Sequence, residues 1–376
     1  MTPKQTRNEE FEKSLASVHM NHAGVSPIPK RTQAAIGWAA TQLSSSVHSF
    51  FNNSFWPVMD EARRRFALLL GADPTNVAFT KNTGHGSSII ADGLRVERGD
   101  NVVLVEGDYP AVNYPWLAQA ERGVEVRVVK PDGNGSFTID QVAELCDSRT
   151  KAVALSWVQF RSGFRIDPNA FAQLAHSFGA ILVLDVIQGL GVHPISLVES
   201  QVDVAITGVH KWLMSPSGVG GLYIAPSIID RIGLVNMGAA STVDVMSFNS
   251  DVFEPKPNAL RYEEGSPNAL GICALSASLS LIEDIGLSQI ELQVFGLTRM
   301  LSEGLSSMGY NVNADRRREH WSGLLYVQHA QKSADCLLER LAERGVNAAI
   351  RGGRLRLSPH FYNNEDDIDR VLHALR

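Results

Sequence analysis

The sequence predicts an α/β fold: a large domain on a mainly parallel seven-stranded sheet, followed by a smaller C-terminal α+β domain. Two observations carry the prediction. From Phe55 to Ile224, short and continuously apolar β-rich runs alternate with stretches of helical periodicity, the pattern of a parallel sheet covered on both faces. After about Ala274 the pattern turns mainly helical, with only brief strand-like runs. A chain of 376 residues can hold both units, and the expected division is 31–273 for the large domain and 274–376 for the small one.

The first helical stretch, FWPVMDEARRRFALLLG (Phe55–Gly71), places apolar residues at helical spacing and closes on a glycine suited to a C-cap. Seven strand runs follow: VAFT (Val77–Thr80), NVVLVE (Asn101–Glu106), VEVRVV (Val124–Val129), AVALSWV (Ala152–Val158), AILVLD (Ala180–Asp185), VDVAIT (Val202–Thr207) and GGLYIA (Gly220–Ala225). Helical stretches such as PNAFAQLAHSFG (Pro168–Gly179) separate several of them. Farther on, a long helix is expected through IEDIGLSQIELQVFGLTRMLSEGLSSMG, with a bend near Gly286 or Gly296. Strands LLYVQ and LRLS and a helix around CLLERLAERG come next. A last helix starts at Asn364 or Glu365, where side-chain amides and acids suit a first turn.

Composition narrows the function classes. With 44% hydrophobic and 20% charged residues the chain reads as an ordinary soluble protein. A net charge of −6 argues against a nucleic-acid partner and gives no membrane attraction. Cys146, Cys273 and Cys336 are widely spaced and form no metal-ligand pattern, so no metal and no disulfide framework is expected. The N-terminal MTPKQTRNEEFEKSL is polar, and no run of about eighteen apolar residues occurs, so the expected setting is the cytoplasm.

In a parallel sheet, ligands bind beyond the carboxyl ends of the strands, and candidate chemistry falls there. Lys211, in TGVHKWLMSPSGVGGLYI, follows a strand directly after His210. It can be a phosphate-binding point charge, a Schiff-base nucleophile or a solvated side chain. Asp185 closes AILVLD, with Gln188 three residues on; a desolvated acid needs a cation or donors, or else caps a helix. A pyridinium N–H would be such a partner, because an acid keeps the ring nitrogen of pyridoxal phosphate protonated, and Gln188 can then serve the ring's phenolic oxygen. TKNTGHGSS (Thr80–Ser88) leads from a strand into a helix, so Thr83, Gly84 and His85 form a candidate phosphate cradle at a helix N-terminus. Tyr109, beyond another strand end, can stack on a planar ring. Arg351, Arg354 and Arg356 in AIRGGRLRLSPHFYN can grip carboxylates, although alternation along LRLS puts Arg354 and Arg356 on one face that can equally be solvated.

Together these pieces resemble the class V aminotransferase family of fold-type I pyridoxal-phosphate enzymes. That family includes cysteine desulfurases, selenocysteine lyases, kynureninases and isopenicillin N epimerase-like proteins. The likeness runs from MNHAGVSPIP near residue 20 to SPHFYNNEDDIDRVL at the end, and LVLDVIQ, GVHKWLMSPSGVGGLYI and RYEEGSPN are its most specific motifs. The resemblance implies pyridoxal 5'-phosphate bound to Lys211, with Asp185 on the pyridine nitrogen, Gln188 on the phenolic oxygen and Tyr109 stacked on the ring. It places Thr83 and Gly84 at the phosphate, and His210, which precedes the lysine as in many members, among the cofactor-binding residues. Gly265 and Ser266 would reach the phosphate of a neighbouring subunit, which implies a homodimer with shared sites. Arg356 would hold the α-carboxylate of an amino-acid substrate, with Arg351 nearby. Asn21, His22 and Ala23, in an N-terminal segment spanning residues 1–30, would line the substrate pocket.

Two departures from the family pattern stand out. Desulfurases carry a cysteine on a loop before the carboxylate arginine, whereas Arg351-Gly352-Gly353 leads almost at once to Arg356. The three cysteines read as core packing in helical surroundings, so persulfide-forming chemistry is not expected. Gly208 stands where many relatives have a phosphate-binding hydroxyl, with Thr207 one residue away, and Gly84 replaces a second threonine. The expected activity is transamination, with β-elimination at a C–S bond or epimerisation as alternatives. A non-catalytic pyridoxal-phosphate-binding protein is the alternative from another class.

Overall fold

The computed structural model describes residues 3–11, 17–247, 249–313 and 319–376; parts of MTPKQTRNEEFEKSL, at 1–2 and 12–16, lie outside them. The seven expected strands form one sheet. They are β1 (Val77–Thr80), β2 (Asn101–Val105), β3 (Glu125–Val129), β4 (Thr150–Ser156), β5 (Ile181–Asp185), β6 (Val204–Gly208) and β7 (Gly220–Ile224). Their order is β1-β7-β6-β5-β4-β2-β3. Only β7 runs against the others, pairing antiparallel with β1 and β6. The interior strands β5, β6 and β7 are buried along their whole length, which is why they read as unbroken apolar runs. Edge strand β3 is half open to solvent, hence its interleaved Glu125 and Arg127.

Helices cover both faces. Helix α1 spans Lys30–Ser45 and α2 spans Trp56–Leu70. Met59, Ala62, Arg63, Phe66, Ala67 and Leu70 of α2 are buried at helical spacing, and Gly71 ends the helix at φ 60°. Phe66 lies so close to β7 that a Cβ on Gly221 would come within 2.3 Å of its ring. Helix α3 (Thr83–Gly93) follows β1, α4 (Pro110–Leu117) follows β2, and α5 (Pro168–Ser177) precedes β5. Beyond the sheet, α6 (Ala269–Ile285) and α7 (Leu287–Ser307) are bent by 80°. The break falls at Gly286, whose φ of 85° suits glycine, while Gly296 stays inside α7. No single helix among the described residues is long and apolar enough to cross a membrane.

The C-terminal sheet has four antiparallel strands: β8 (Asn311–Asn313), β9 (Leu325–Gln328), β10 (Ala349–Arg351) and β11 (Arg354–Leu357). With α7, α8 (Ala334–Glu343) and α9 (Glu365–Leu375) it encloses a second core around Leu301, Leu325, Leu337, Leu355 and Ile368. Asn364 and Asp367 close a capping box at the start of α9. The N-terminal segment is tied to this unit: Val18–His19 pairs with Val346–Asn347, and Asn21 bridges to Ser358. Strand β10 and the π-helical turn at Phe50–Phe55 carry no periodicity that the sequence would reveal.

Candidate active site

The carboxyl ends of β1, β2, β4, β5 and β6 point to the same edge, and the loops leaving them bring the candidate residues together. Asp185 is the last residue of β5, opposite Ile206 of β6. Lys211 lies three residues beyond β6, in a turn closed by the Met214 N–H on the Lys211 carbonyl, with Met214 at φ 51°. A non-glycine residue held there costs about 1–2 kcal/mol, borne by the surrounding packing.

Lys211 is 7% exposed. Its Nζ sits 5.2 Å from the centre of the Tyr109 ring. Burial pulls the ammonium below the usual lysine range; the Asp185 charge opposes this, while Arg356 and Arg351 add to it. Burial pushes the Asp185 carboxyl upward, against the Ile187 N–H and the Lys211 charge, and Asp108 adds to the rise. One Asp185 oxygen accepts the Ile187 N–H at 2.9 Å. The other, Oδ2, is buried without a hydrogen-bond partner among the described residues. A buried carboxylate oxygen lacking a donor fits a ligand that brings its own N–H, as a protonated pyridine nitrogen does.

The turn after β1 has a matching deficit. Asn82 caps α3, its side chain accepting the His85 N–H at 2.9 Å and its carbonyl the Gly86 N–H at 3.2 Å. The amides of Thr83 and Gly84 have no partner among the described residues, and Thr83 Oγ1 is buried without one. Free amides at a helix N-terminus are able to hold an anion. The His85 ring is already engaged, Nδ1 by the Lys81 N–H and Nε2 by Asn236. His210 is half-buried and its ring has no partner among the described residues; burial and then the Lys211 charge hold it below its usual range. A Cβ on Gly208 would lie 3.1 Å from that ring, so the imidazole fills the space a hydroxyl side chain would need. The Thr207 hydroxyl turns back to the Gly208 carbonyl at 2.9 Å.

On the opposite side, Gln188 is fixed at both ends: its amide donates to the Ala23 carbonyl at 3.1 Å and its oxygen accepts from Trp212 Nε1 at 3.1 Å. One amide hydrogen remains for a ligand. Asn21 Oδ1 accepts from Arg356 Nη2 at 2.9 Å. His22 is fully buried, its Nδ1 against the Ser358 carbonyl and its Nε2 against the Tyr362 hydroxyl, so it anchors Asn21 and Ala23 and offers no free atom. Arg356 is 1% exposed and its Nε is unpartnered. A solvated face therefore does not describe Arg356: pairing with Tyr326 and contact with Asn21 bury it. Arg351, at the hairpin tip, is exposed. Gly265 and exposed Ser266 lie apart from Lys211, lining a 170 Å³ cavity with Thr80 and Lys81.

Asp108 was not singled out in the sequence, although it stands directly before Tyr109. It is buried and accepts from the Ser156 N–H and hydroxyl and from the Tyr109 N–H, which sets Tyr109 over Lys211. An acid just past an apolar strand, the signal used for Asp185, would have found it. The cysteine expectation needs correction. Cys273 is buried in α6, but Cys146 lies half-buried in a loop and Cys336 is exposed on α8, whose apolar face is Leu337 and Leu341. No group of three or more His, Cys, Asp or Glu among the described residues is placed to hold a metal ion.

The family model described as Aminotransferase class-V matches residues 18–371. A probable cysteine desulfurase of Methanothermobacter thermautotrophicus is 28% identical over 328 residues, 82% of this chain and 81% of its own. A Bacillus subtilis protein described as an uncharacterized aminotransferase is 27% identical over 311 residues, 83% and 81%. Among solved structures, a variant of C-DES with glycine covalently linked to its pyridoxal-phosphate cofactor superimposes with a TM-score of 0.88 at 20% identity, covering 97% of this chain and 98% of that one.

Proposed function

The chain belongs to the class-V aminotransferase family, and from that premise we propose that it is an aminotransferase acting at the α-carbon of an amino acid. Its cofactor is pyridoxal phosphate. The observation that carries the reading is the buried Lys211 amine beside an Asp185 oxygen left without a donor, beneath the Tyr109 ring. Bound here, pyridoxal phosphate draws electrons from the substrate's α-carbon and so weakens its C–H bond.

The chain's own residues supply the rest. Asp185 Oδ2 would hold the proton on the pyridine nitrogen, and Asp108 keeps Tyr109 where it would cover the ring. Thr83, Gly84 and the His210 imidazole would hold the phosphate. Arg356, braced by Asn21, fixes the α-carboxylate and thereby the bond presented to Lys211. Desolvation keeps a larger share of Lys211 Nζ neutral, so it can take the α-proton. Where that proton is returned would decide between transamination and epimerisation, and departure of a β-substituent would make the reaction an elimination. The β10–β11 hairpin supports excluding persulfide chemistry, because Gly352 and Gly353 close it at φ 57° and 71° and no cysteine lies there. The protein is further proposed to act in the cytoplasm as a homodimer, with Gly265 and Ser266 reaching the partner's phosphate; sedimentation at one-chain mass would contradict that arrangement.

The test is one assay of the holoprotein with a panel of L-amino acids and a 2-oxo acid acceptor. Transamination gives one new amino acid per keto acid formed. Pyruvate with ammonia or sulfide would make it a lyase, and inverted amino acid an epimerase. No change in the cofactor's absorbance with any amino acid would make it non-catalytic.

A further inference from the structure

Several arginines of this protein sit on carboxylates: Arg7 on Asp367 at 2.7 Å, Arg31 on Glu10 at 2.7 Å, Arg63 on Glu263 at 2.6 Å and Arg127 on Asp147 at 2.8 Å. The C-terminal hairpin is different. In its register Arg351 faces Arg354, and Ala349 and Tyr326 flank Arg356. Cross-strand partners point to the same face, so three guanidiniums share one face with Tyr326, and Arg354 lies 5.2 Å over the Tyr326 ring.

Among the described residues no acid meets any of the three. Arg351 Nη1 donates to the Ile350 carbonyl, Arg354 Nη2 to the Arg161 carbonyl and Arg356 Nη2 to Asn21. Like charges placed directly opposite each other are destabilising. In a chain of net charge −6, with acids available elsewhere, this face is left uncompensated. Arg351 and Arg356 lie on the same face of the hairpin, since Ala349 pairs with Arg356 and Arg351 with Arg354. Arg356 is enough for an α-carboxylate, and Arg351 then has no anion of its own.

We infer that Arg351 is a specificity residue that grips a second carboxylate, so that the preferred substrate is an acidic α-amino acid and its keto partner a 2-oxo dicarboxylate. The inference rests on the proposed function, in which Arg356 holds the α-carboxylate. The side chain of Arg351 is exposed at the hairpin tip, where it can reach a group extending from the α-carbon.

The experiment measures binding to the holoprotein by tryptophan fluorescence, with unreactive maleate as the dicarboxylate and propionate as the monocarboxylate. Maleate is expected to bind about tenfold more tightly than propionate, the increment of one added charge-assisted contact. Arg351→Gln should abolish that preference, Arg351→Lys should keep part of it, and Arg356→Lys should weaken both ligands. Equal affinity of the wild type for the two, or a preference that survives Arg351→Gln, overturns the inference alone. Propionate binding untouched by Arg356→Lys overturns the carboxylate site on which it rests.

Discussion

Lys211→Ala is expected to lower turnover by a factor on the order of 10⁴, because one side chain both anchors the cofactor and moves the α-proton. The fold should survive the change. Lys211 is a buried cation whose native-state value lies below its unfolded one, so the native state binds fewer protons. Its presence therefore costs stability below the native-state value, and that cost fades as pH rises to the unfolded value. Alanine removes the cost, and the truncated side chain leaves space that opens toward the cleft. The measurement is single-turnover kinetics beside the thermal midpoint of the cofactor-free protein. Turnover within tenfold of wild type would remove Lys211 from the chemistry.

Asp185→Asn separates function from stability still more clearly. The second oxygen of Asp185 has no donor among the described residues, and burial has raised the group above the usual carboxylate range. A raised carboxyl means that the native state holds a proton the unfolded chain has released. The stability contributed by that proton is present below the unfolded carboxylate value and declines as pH rises through the native one. Asparagine keeps an acceptor for the Ile187 N–H and removes the buried charge, so the cofactor-free protein should be at least as stable at neutral pH. Activity should fall by about 10²–10⁴, the equivalent of the roughly 3–5 kcal/mol lost when one member of a buried ion pair is removed. Activity retained within about threefold, or a loss matched by equal destabilisation of the cofactor-free protein, would contradict the role given to Asp185.

The two residues behind these predictions were legible because they lie at strand ends. The unbroken run AILVLD announces a buried strand, and an acid at its end must meet a partner. Lys211 was legible for the same reason, and the mainly parallel sheet followed from the alternation of apolar runs with helices, whereas the order of its strands did not. What could not be read depends on pairings distant in sequence. Arg356 alternates like a solvated residue, and only its pairing with Tyr326 and the contact from Asn21 show it to be buried. His22 in NHA was expected to line the substrate pocket, yet Ser358 and Tyr362, more than three hundred residues away in sequence, take both its nitrogens. Trp212 follows the lysine like any apolar residue, and its bond to Gln188 exists only once β5 and β6 lie side by side.

The most direct test of the account is to reduce the holoprotein with borohydride and map the peptides by mass. The account predicts a pyridoxyl-phosphate label on Lys211 and on no other lysine. A label on Lys81 or elsewhere, or none at all, would contradict it.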